Sequence, residues 1–284
     1  MRSYLPEGII KPISDIVEGA SMINEINRTD TVKRQYSTPE RLNMRISIHD
    51  KYSTNRVGFS NWIFSNYRIE KGMRVLELGC GTGMMWKNRK DLITSCSKVI
   101  LSDFSEGMVE TAEANIGSYE PLQYQVIDIQ DIPYDDGRFD AVMAHMMLYH
   151  VPDIGRALSE VSRVLKDDGC FYCATYGENG IIEYLSKILG DYGVEDHVNK
   201  NFTLQNGSGL LKQVFQEVTK LEYADSLAVT DLDDMVEYIY SLAGMTALSA
   251  VPRQEIKSTL ARHTVNGVLH VPKEYGMFIA KKTK

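Results

Sequence analysis

Long hydrophobic runs are missing from this chain. No stretch approaches the roughly 18 apolar residues that a membrane-spanning helix requires. Met1 to Ala20 carries Pro6, Glu7, Pro12, Asp15 and Glu18 where a secretion signal would need an apolar segment. A cytoplasmic protein with no membrane span is the expectation. Positive charge is short as well: 31 Lys and Arg stand against 38 Asp and Glu, a net charge of −7. That balance argues against a chain whose main task is gripping a phosphate backbone, so no nucleic-acid partner is expected. Cysteine is sparse, with four in 284 residues. Cys170 and Cys173 form a C-x-x-C inside a strand-like run, where side chains three apart point to opposite faces. No second pair completes a zinc site. With Cys80 and Cys96 they read as reduced thiols, and no metal site is expected.

What is present is ordinary for a folded protein: 43% hydrophobic and 24% charged residues, too apolar for disorder. A length of 284 is long for one domain and short for two. One α/β core with smaller accessory parts fits: a helical cap or lid over residues 1–70, a ligand-binding core over 71–176, and a remainder over 177–284 that extends the sheet and adds helical cap insertions.

The middle of the chain alternates short apolar runs with helical periodicity. Strands are expected at Arg74–Leu78, Lys98–Ser102, Tyr124–Ile129, Phe139–Ala144 and Cys170–Tyr176. Ser105 reads as the cap of a helix burying Met108, Val109, Ala112 and Ile116, and Asp153 as the cap of one burying Ile154, Ala157, Leu158, Val161 and Leu165. Asp167-Asp168-Gly169 then reads as a turn. Such alternation means a parallel sheet with helices on both faces. In the flanks, one amphipathic helix holds Ile13, Ile16, Val17 and Ala20, and another centres on Phe59, Trp62 and Ile63. Beyond the fifth strand, helices are expected near 181–189, 210–215, 231–242 and 252–262, with strands near 221–224 and 275–280.

The chemistry-bearing segment is Glu77-Leu78-Gly79-Cys80-Gly81-Thr82-Gly83, which follows the first strand and is expected to open a helix. Its glycines allow a tight turn and a close approach to ligand, and helix-start N–H groups favour an anionic group. A dinucleotide site wants G-x-G-x-x-G, but position 84 is Met84. Asp103 sits 20 residues after Gly83, at the end of the second strand, where an acid reaches ribose hydroxyls. Asp128-Ile129 ends the third strand, and Asp140 opens the fourth. These acids gather at successive strand ends, where open α/β sheets bind their ligands.

From Gly72 to Thr175, over a third of the chain, the sequence resembles the class I S-adenosylmethionine-dependent methyltransferases. The likeness is to the small-molecule group that includes the ubiquinone/menaquinone-biosynthesis enzymes. It is carried by Val75-Leu-Glu-Leu-Gly-Cys-Gly-Thr-Gly83, Ser102-Asp-Phe-Ser105 with Met108, Asp128 with Ile132-Pro133-Tyr134, Phe139-Asp140, and Leu148-Tyr-His-Val-Pro-Asp153. The resemblance implies a Rossmann-like, seven-stranded, mostly parallel sheet whose last strand is antiparallel. It implies S-adenosylmethionine as donor. Glu77 and the loop of Gly79, Cys80, Gly81, Thr82 and Gly83 would hold its methionine end, Asp103, Phe104 and Met108 the ribose side, and Asp128 with Ile129 the adenine.

His145 and His150 flank Met146-Met-Leu-Tyr149 just past the fourth strand, at the rim where an acceptor approaches. Both are candidate bases, since imidazole titrates near working pH. The competing reading has His145 lining the donor pocket and His150 packing the next helix. Tyr52, in the polar run His49–Asn55, is the candidate lid contact on the donor, against a plain surface loop. The expected activity is methyl transfer to a small, neutral or cationic acceptor. The alternatives are a nucleic-acid methyltransferase, a donor-binding protein with no acceptor of its own, and, last, a nicotinamide-dependent oxidoreductase.

Overall fold

The computed structural model describes residues 39–194, 198–242, 248 and 250–283, with side chains from residue 45 onward. The helix expected around Ile13–Ala20 lies outside the described residues. Chain order is α1 (Pro39–Tyr52), α2 (Phe59–Ser65), β1 (Arg74–Leu78), α3 (Lys90–Ser95), β2 (Lys98–Asp103), α4 (Glu106–Ile116), β3 (Leu122–Val126) and β4 (Phe139–His145). Then come α5 (Ile154–Val164), β5 (Leu165–Tyr176), α6 (Ile181–Ile188), α7 (Gly207–Leu211), β6 (Glu217–Val229), α8 (Leu232–Ser241), α9 (Arg253–Ala261) and β7 (Leu269–Lys281).

The strands form one sheet of order β3-β2-β1-β4-β5-β7-β6. β7 runs antiparallel to both its neighbours, β5 and β6, and the pairs among β1 to β5 are parallel. The expected fold class therefore holds. Strand residues alternate between two cores, as period-two geometry demands. Leu76, Val142, Phe171 and Cys173 face one side with Ala157, Leu158 and Val161 of α5. Val75, Ala141, Met143, Tyr172 and Ala174 face the other with Ile63, Trp86 and Ile93. Cys170 packs with this second set, so the C-x-x-C pair does straddle the sheet, and all four cysteines are free thiols.

A third core lies beyond the sheet. β6 and β7 pair over their full length, from Glu217↔Lys281 to Val229↔Leu269, while the β5–β7 ladder stops at Tyr176↔Tyr275. The distal end of the hairpin thus overhangs the carboxyl edge of β5. Leu227, Val229, Leu269 and Val271 there join Ile48 and Tyr52 of α1, Ile181 and Leu185 of α6, and Met235, Ile239, Ile256 and Leu260 of α8 and α9. This cap is fastened by a buried ion pair between Lys273 and Asp225, whose side chains are 1% and 0% exposed. Asp225 also accepts from the Asn55 N–H and Ser53 Oγ, each at 2.9 Å. Ser53 bridges Leu227, covering part of the free edge of β6.

Several expectations on element bounds are corrected. β3 covers Leu122–Val126, so Asp128 and Ile129 lie past its end, where Asp128 folds back to bridge Asp131. Asp167-Asp168-Gly169 is a bulge inside β5, not a turn: Asp168 takes φ 63°, and the β4 register jumps from Phe139↔Leu165 to Ala141↔Cys170. The strand expected at 221–224 is 13 residues long, because its partner is β7 along its whole length. Ser105 precedes α4 without a side-chain cap bond, whereas Asp153 does cap α5 by accepting from the Arg156 N–H.

Candidate active site

β1 lies between β2 and β4, the point where the strand order reverses and α/β sheets open a crevice at their carboxyl ends. Gly79, Gly81 and Gly83 leave β1 at φ 75°, 55° and 72°, the left-handed region that glycine alone enters cheaply. These angles stop helix propagation. The chain runs on in three-residue turns, with Gly83 N–H to Cys80 carbonyl at 3.0 Å and Trp86 N–H to Gly83 carbonyl at 2.9 Å, and α3 starts only at Lys90. The expectation that the loop opens a helix is therefore corrected, and helix-start N–H groups are no part of this site. The loop is instead set by β2: Cys80 N–H donates to the Ser102 carbonyl (2.8 Å) and Gly81 N–H to the Asp103 carboxylate (2.9 Å).

Asp103 accepts from Ser105 N–H through its other oxygen, also at 2.9 Å. The Phe104 N–H gives it a third backbone bond, and as a carboxylate has about four lone-pair sites, one remains for a ligand hydroxyl. Phe104 follows it, half-buried, and Met108 is buried on the inner face of α4. Glu77 is 2% exposed and takes the indole N–H of Trp86. Burial, followed by the Asp103 charge, pushes its carboxyl up to about 7 against the pull of the indole. Burial raises the Cys80 thiol too, with Glu77 and Asp103 adding to it, so Cys80 is a contact residue and not a nucleophile. Thr82 is buried, its carbonyl held by Asn115 at 2.9 Å. Asp128 accepts from the Gln130 N–H at 2.8 Å, beside buried Ile129.

At the end of β4 the chain turns abruptly. Met146 takes φ 54°, a costly angle for a long side chain, fixed by its N–H donating to the Ala174 carbonyl at 2.8 Å. This turn lays Met147 over Gly79, so that a Cβ on Gly79 would meet Met147 Cγ at 2.8 Å. His145, just before it, is 5% exposed. Its Nδ1 accepts from Ala174 N–H at 3.1 Å, and its Nε2 meets the Tyr67 hydroxyl. Burial holds it down at about 3. With the Nδ1 lone pair used and the other nitrogen against Tyr67, the expected base role for His145 is withdrawn. It is a neutral wall residue, consistent with the competing reading.

His150 closes the short turn Leu148–His150, its ring tilted by 56° against Tyr149 with centroids 4.5 Å apart. Tyr149 in turn lies 4.5 Å from Tyr176, and Tyr176 opposes Tyr275 in the ladder. Burial and the Arg45 charge hold His150 at about 4. The Asn199–Gly209 segment is tied to this rim, with Asn199 Nδ2 donating to the Tyr149 carbonyl (2.7 Å) and Tyr176 Oη to the Asn199 carbonyl (2.9 Å). Tyr52 is a further correction. It is the last residue of α1, buried in the cap core with its hydroxyl on Asp234. It is a packing residue there, not the expected lid contact. Tyr67 and Trp86, which meet His145 and Glu77, carry no signal that the sequence reading used.

Residues 76–173 match the sequence-family model described as a methyltransferase domain. Among curated proteins, the demethylmenaquinone methyltransferase of Staphylococcus epidermidis is 34% identical over 111 residues, 39% of this chain and 46% of that protein. The ubiquinone/menaquinone biosynthesis C-methyltransferase of Francisella philomiragia is 26% identical over 63% of this chain and 74% of its own length. For the relatives typified by the Staphylococcus protein, the match spans about half their length, 46%. Among solved structures, the BH2331 protein of Bacillus halodurans superposes with a TM-score of 0.56 at 16% identity, over 80% of this chain and 99% of that one. This last likeness concerns the fold alone. The resemblance drawn from the motifs is borne out over residues 76–173.

Proposed function

Taking residues 76–173 as a class I methyltransferase domain, we propose that the protein transfers a methyl group from S-adenosylmethionine to a small organic acceptor. One observation carries this reading. Two carboxylates, Glu77 and Asp103, end adjacent strands on either side of a loop whose three glycines are all left-handed. The donor set suits the ligand. Glu77 is buried and half-neutralised near pH 7, so an ammonium beside it would draw out its charge. Asp103 would take a ribose hydroxyl on its remaining lone pair, with Phe104 and Met108 alongside. Asp128 and Ile129 would meet the adenine. Cys80 and Thr82 would contact the methionine end through the loop backbone.

Bound S-adenosylmethionine supplies an activated methyl on a sulfonium. What remains for this chain is alignment and the exclusion of water. The cap overhanging the strand ends, with the wall of His145, Tyr67 and Met147, supports both tasks. His150, neutral at pH 7, is the remaining candidate to accept a proton or hydrogen bond on the acceptor side. Relatives named for menaquinone, ubiquinone and sterol methylation support a small-molecule acceptor over a nucleic acid. A nicotinamide dinucleotide is disfavoured by a loop that opens no helix for the pyrophosphate.

Calorimetric titration is the test. One S-adenosylhomocysteine per chain and no NADH binding is the expected result. Saturable NADH binding without S-adenosylhomocysteine binding would overturn the reading.

A further inference from the structure

On α1, residues 45, 48, 49 and 52 share the face turned toward the protein, by helical spacing. Ile48 and Tyr52 there are buried core members. Arg45 interrupts this apolar face. Arg45 as a whole is half-buried, and its Nε is buried without a hydrogen-bond partner among the described residues. Its charge is nevertheless felt at His150, on the turn after β4, and at buried Tyr238 on α8. Arg45 therefore lies within electrostatic range of both the turn after β4 and α8.

One turn further on, His49 lies edge-on to Tyr238 and Tyr275, with ring centroids 6.1 and 5.7 Å apart. Its Nε2 reaches the Tyr275 hydroxyl at 3.4 Å, but its Nδ1 is buried with no partner. The neighbouring cation, Lys273, is already matched by Asp225. Among the described residues, that leaves one guanidinium Nε and one imidazole nitrogen buried without a partner on the same helix face. Proteins seldom leave a guanidinium in such a place without an anionic partner.

We propose that Arg45 and His49 bind an anionic oxygen group, a carboxylate or phosphate, carried by the methyl acceptor. The tyrosine rings of the rim and cap flank the acceptor's flat body. This inference rests on the methyl-transfer reading and sharpens it. It replaces the neutral or cationic acceptor expected from composition with an acidic one. A planar guanidinium fork suits either oxyanion, in two parallel hydrogen bonds. The acid also gives direction, because an anion held at α1 orients the rest of the molecule toward Met147 and the glycine loop.

The test uses the full chain saturated with S-adenosylhomocysteine and, in parallel, without it. Benzoate, phenyl phosphate and neutral benzamide serve as probes, read by calorimetry. Benzoate or phenyl phosphate should bind at least about tenfold tighter than benzamide, and the tighter of the two identifies the group. Arg45→Gln should erase the preference and leave S-adenosylhomocysteine affinity within about twofold. Equal binding of benzamide, no binding of either anion, or an unchanged preference in Arg45→Gln overturns the proposal. Absent S-adenosylhomocysteine binding would instead remove the donor reading, and the parallel series would still decide Arg45. Arg45→Met supplies an independent readout. Without ligand it should melt at or above the wild type, because a buried N–H with no partner has gone. A fall of several degrees would mean that the guanidinium is partnered within the protein, and would equally overturn the proposal.

Discussion

The Glu77 carboxyl can be tested without knowing the acceptor. Its ordinary value of 4.5 is raised to about 7, chiefly by burial. An acid raised in this way holds a proton in the folded protein that the unfolded chain has released. Its contribution to stability is present below about pH 4.5 and is lost as pH rises through about 7. The gap corresponds to about 3 kcal/mol at pH 8, or roughly 6–12 °C in Tm for a domain of this size. Buried histidines act in the opposite sense. His49 and His145 are held near 3 and His150 near 4, so their contributions stand above pH 6.5 and fade on acidification. Glu77→Gln separates the two effects, because the amide stays neutral and still accepts from Trp86. The variant should match the wild type below about pH 4.5, gain on it as pH rises to about 7, and hold that gain at pH 8 in a melting series. Ligand binding should reverse the preference, since an ammonium beside the carboxyl favours its charged form. At pH 6.5, S-adenosylhomocysteine should then expel about three-quarters of a proton from the wild type and none from Glu77→Gln. Titration in two buffers of different ionisation enthalpy counts those protons. A melting gap that does not change with pH, or equal proton counts, would refute the assignment.

Three further outcomes follow from the geometry. Asp103→Asn should weaken S-adenosylhomocysteine by about 1.5–3 kcal/mol in calorimetry, the worth of charge-assisted hydrogen bonds; unchanged affinity in the folded variant would remove the ribose role. Gly79→Ala should abolish binding, through φ 75° and a 2.8 Å clash with Met147, and adding Met147→Ala should restore part of it; no rescue would leave backbone strain as the sole cause. Lys273→Met should cost about 3–5 kcal/mol in denaturant unfolding by stranding Asp225, and the double variant with Asp225→Leu should recover most of that loss. A single variant as stable as the wild type would show that the pair does not fasten the cap.

The sheet was legible because it is local. The central strands β1, β2 and β4 bury both faces, and that writes the largely apolar runs seen at Val75–Leu78, Val99–Leu101 and Ala141–Ala144. Asp153 announced α5 through a cap it does make. Glu77, Asp103 and the glycines were legible for the same reason, since one strand–loop unit positions each. The errors fall where a distant partner decides. Glycine spacing alone suggested a helix start, but the left-handed angles and the Asp103 clamp hold the loop in turns. His145 looked reactive from its place in the chain, yet Ala174 and Tyr67, brought in by β5 and the segment after α2, take its nitrogens. Polar residues around Tyr52 suggested a surface loop, because nothing in the sequence marks Asp225 or Asp234 as their partners.

The acceptor side was the least legible part, and the reason is topological. An antiparallel β7 can run past the end of β5, and β6 follows it, so the hairpin carries Leu269–Lys273 and Asp225–Val229 beyond the strand ends. No periodicity signals that overhang: β7 alternates buried and exposed residues over Leu269–Lys273 at its tip and is continuously buried over Gly276–Phe278 nearer its base. The tip needs a cover, and α1 provides it from the opposite end of the described chain, fastened by Ser53 and Asn55 on Asp225. A helix placed for this purpose should bury Ile48 and Tyr52, and it does. The same geometry carries Arg45 and His49, which packing does not require, to the one face of the cap that looks down on Tyr149 and Tyr176. The two unpartnered nitrogens on that face, Arg45 Nε and His49 Nδ1, are the reason the proposed acceptor contact is placed there.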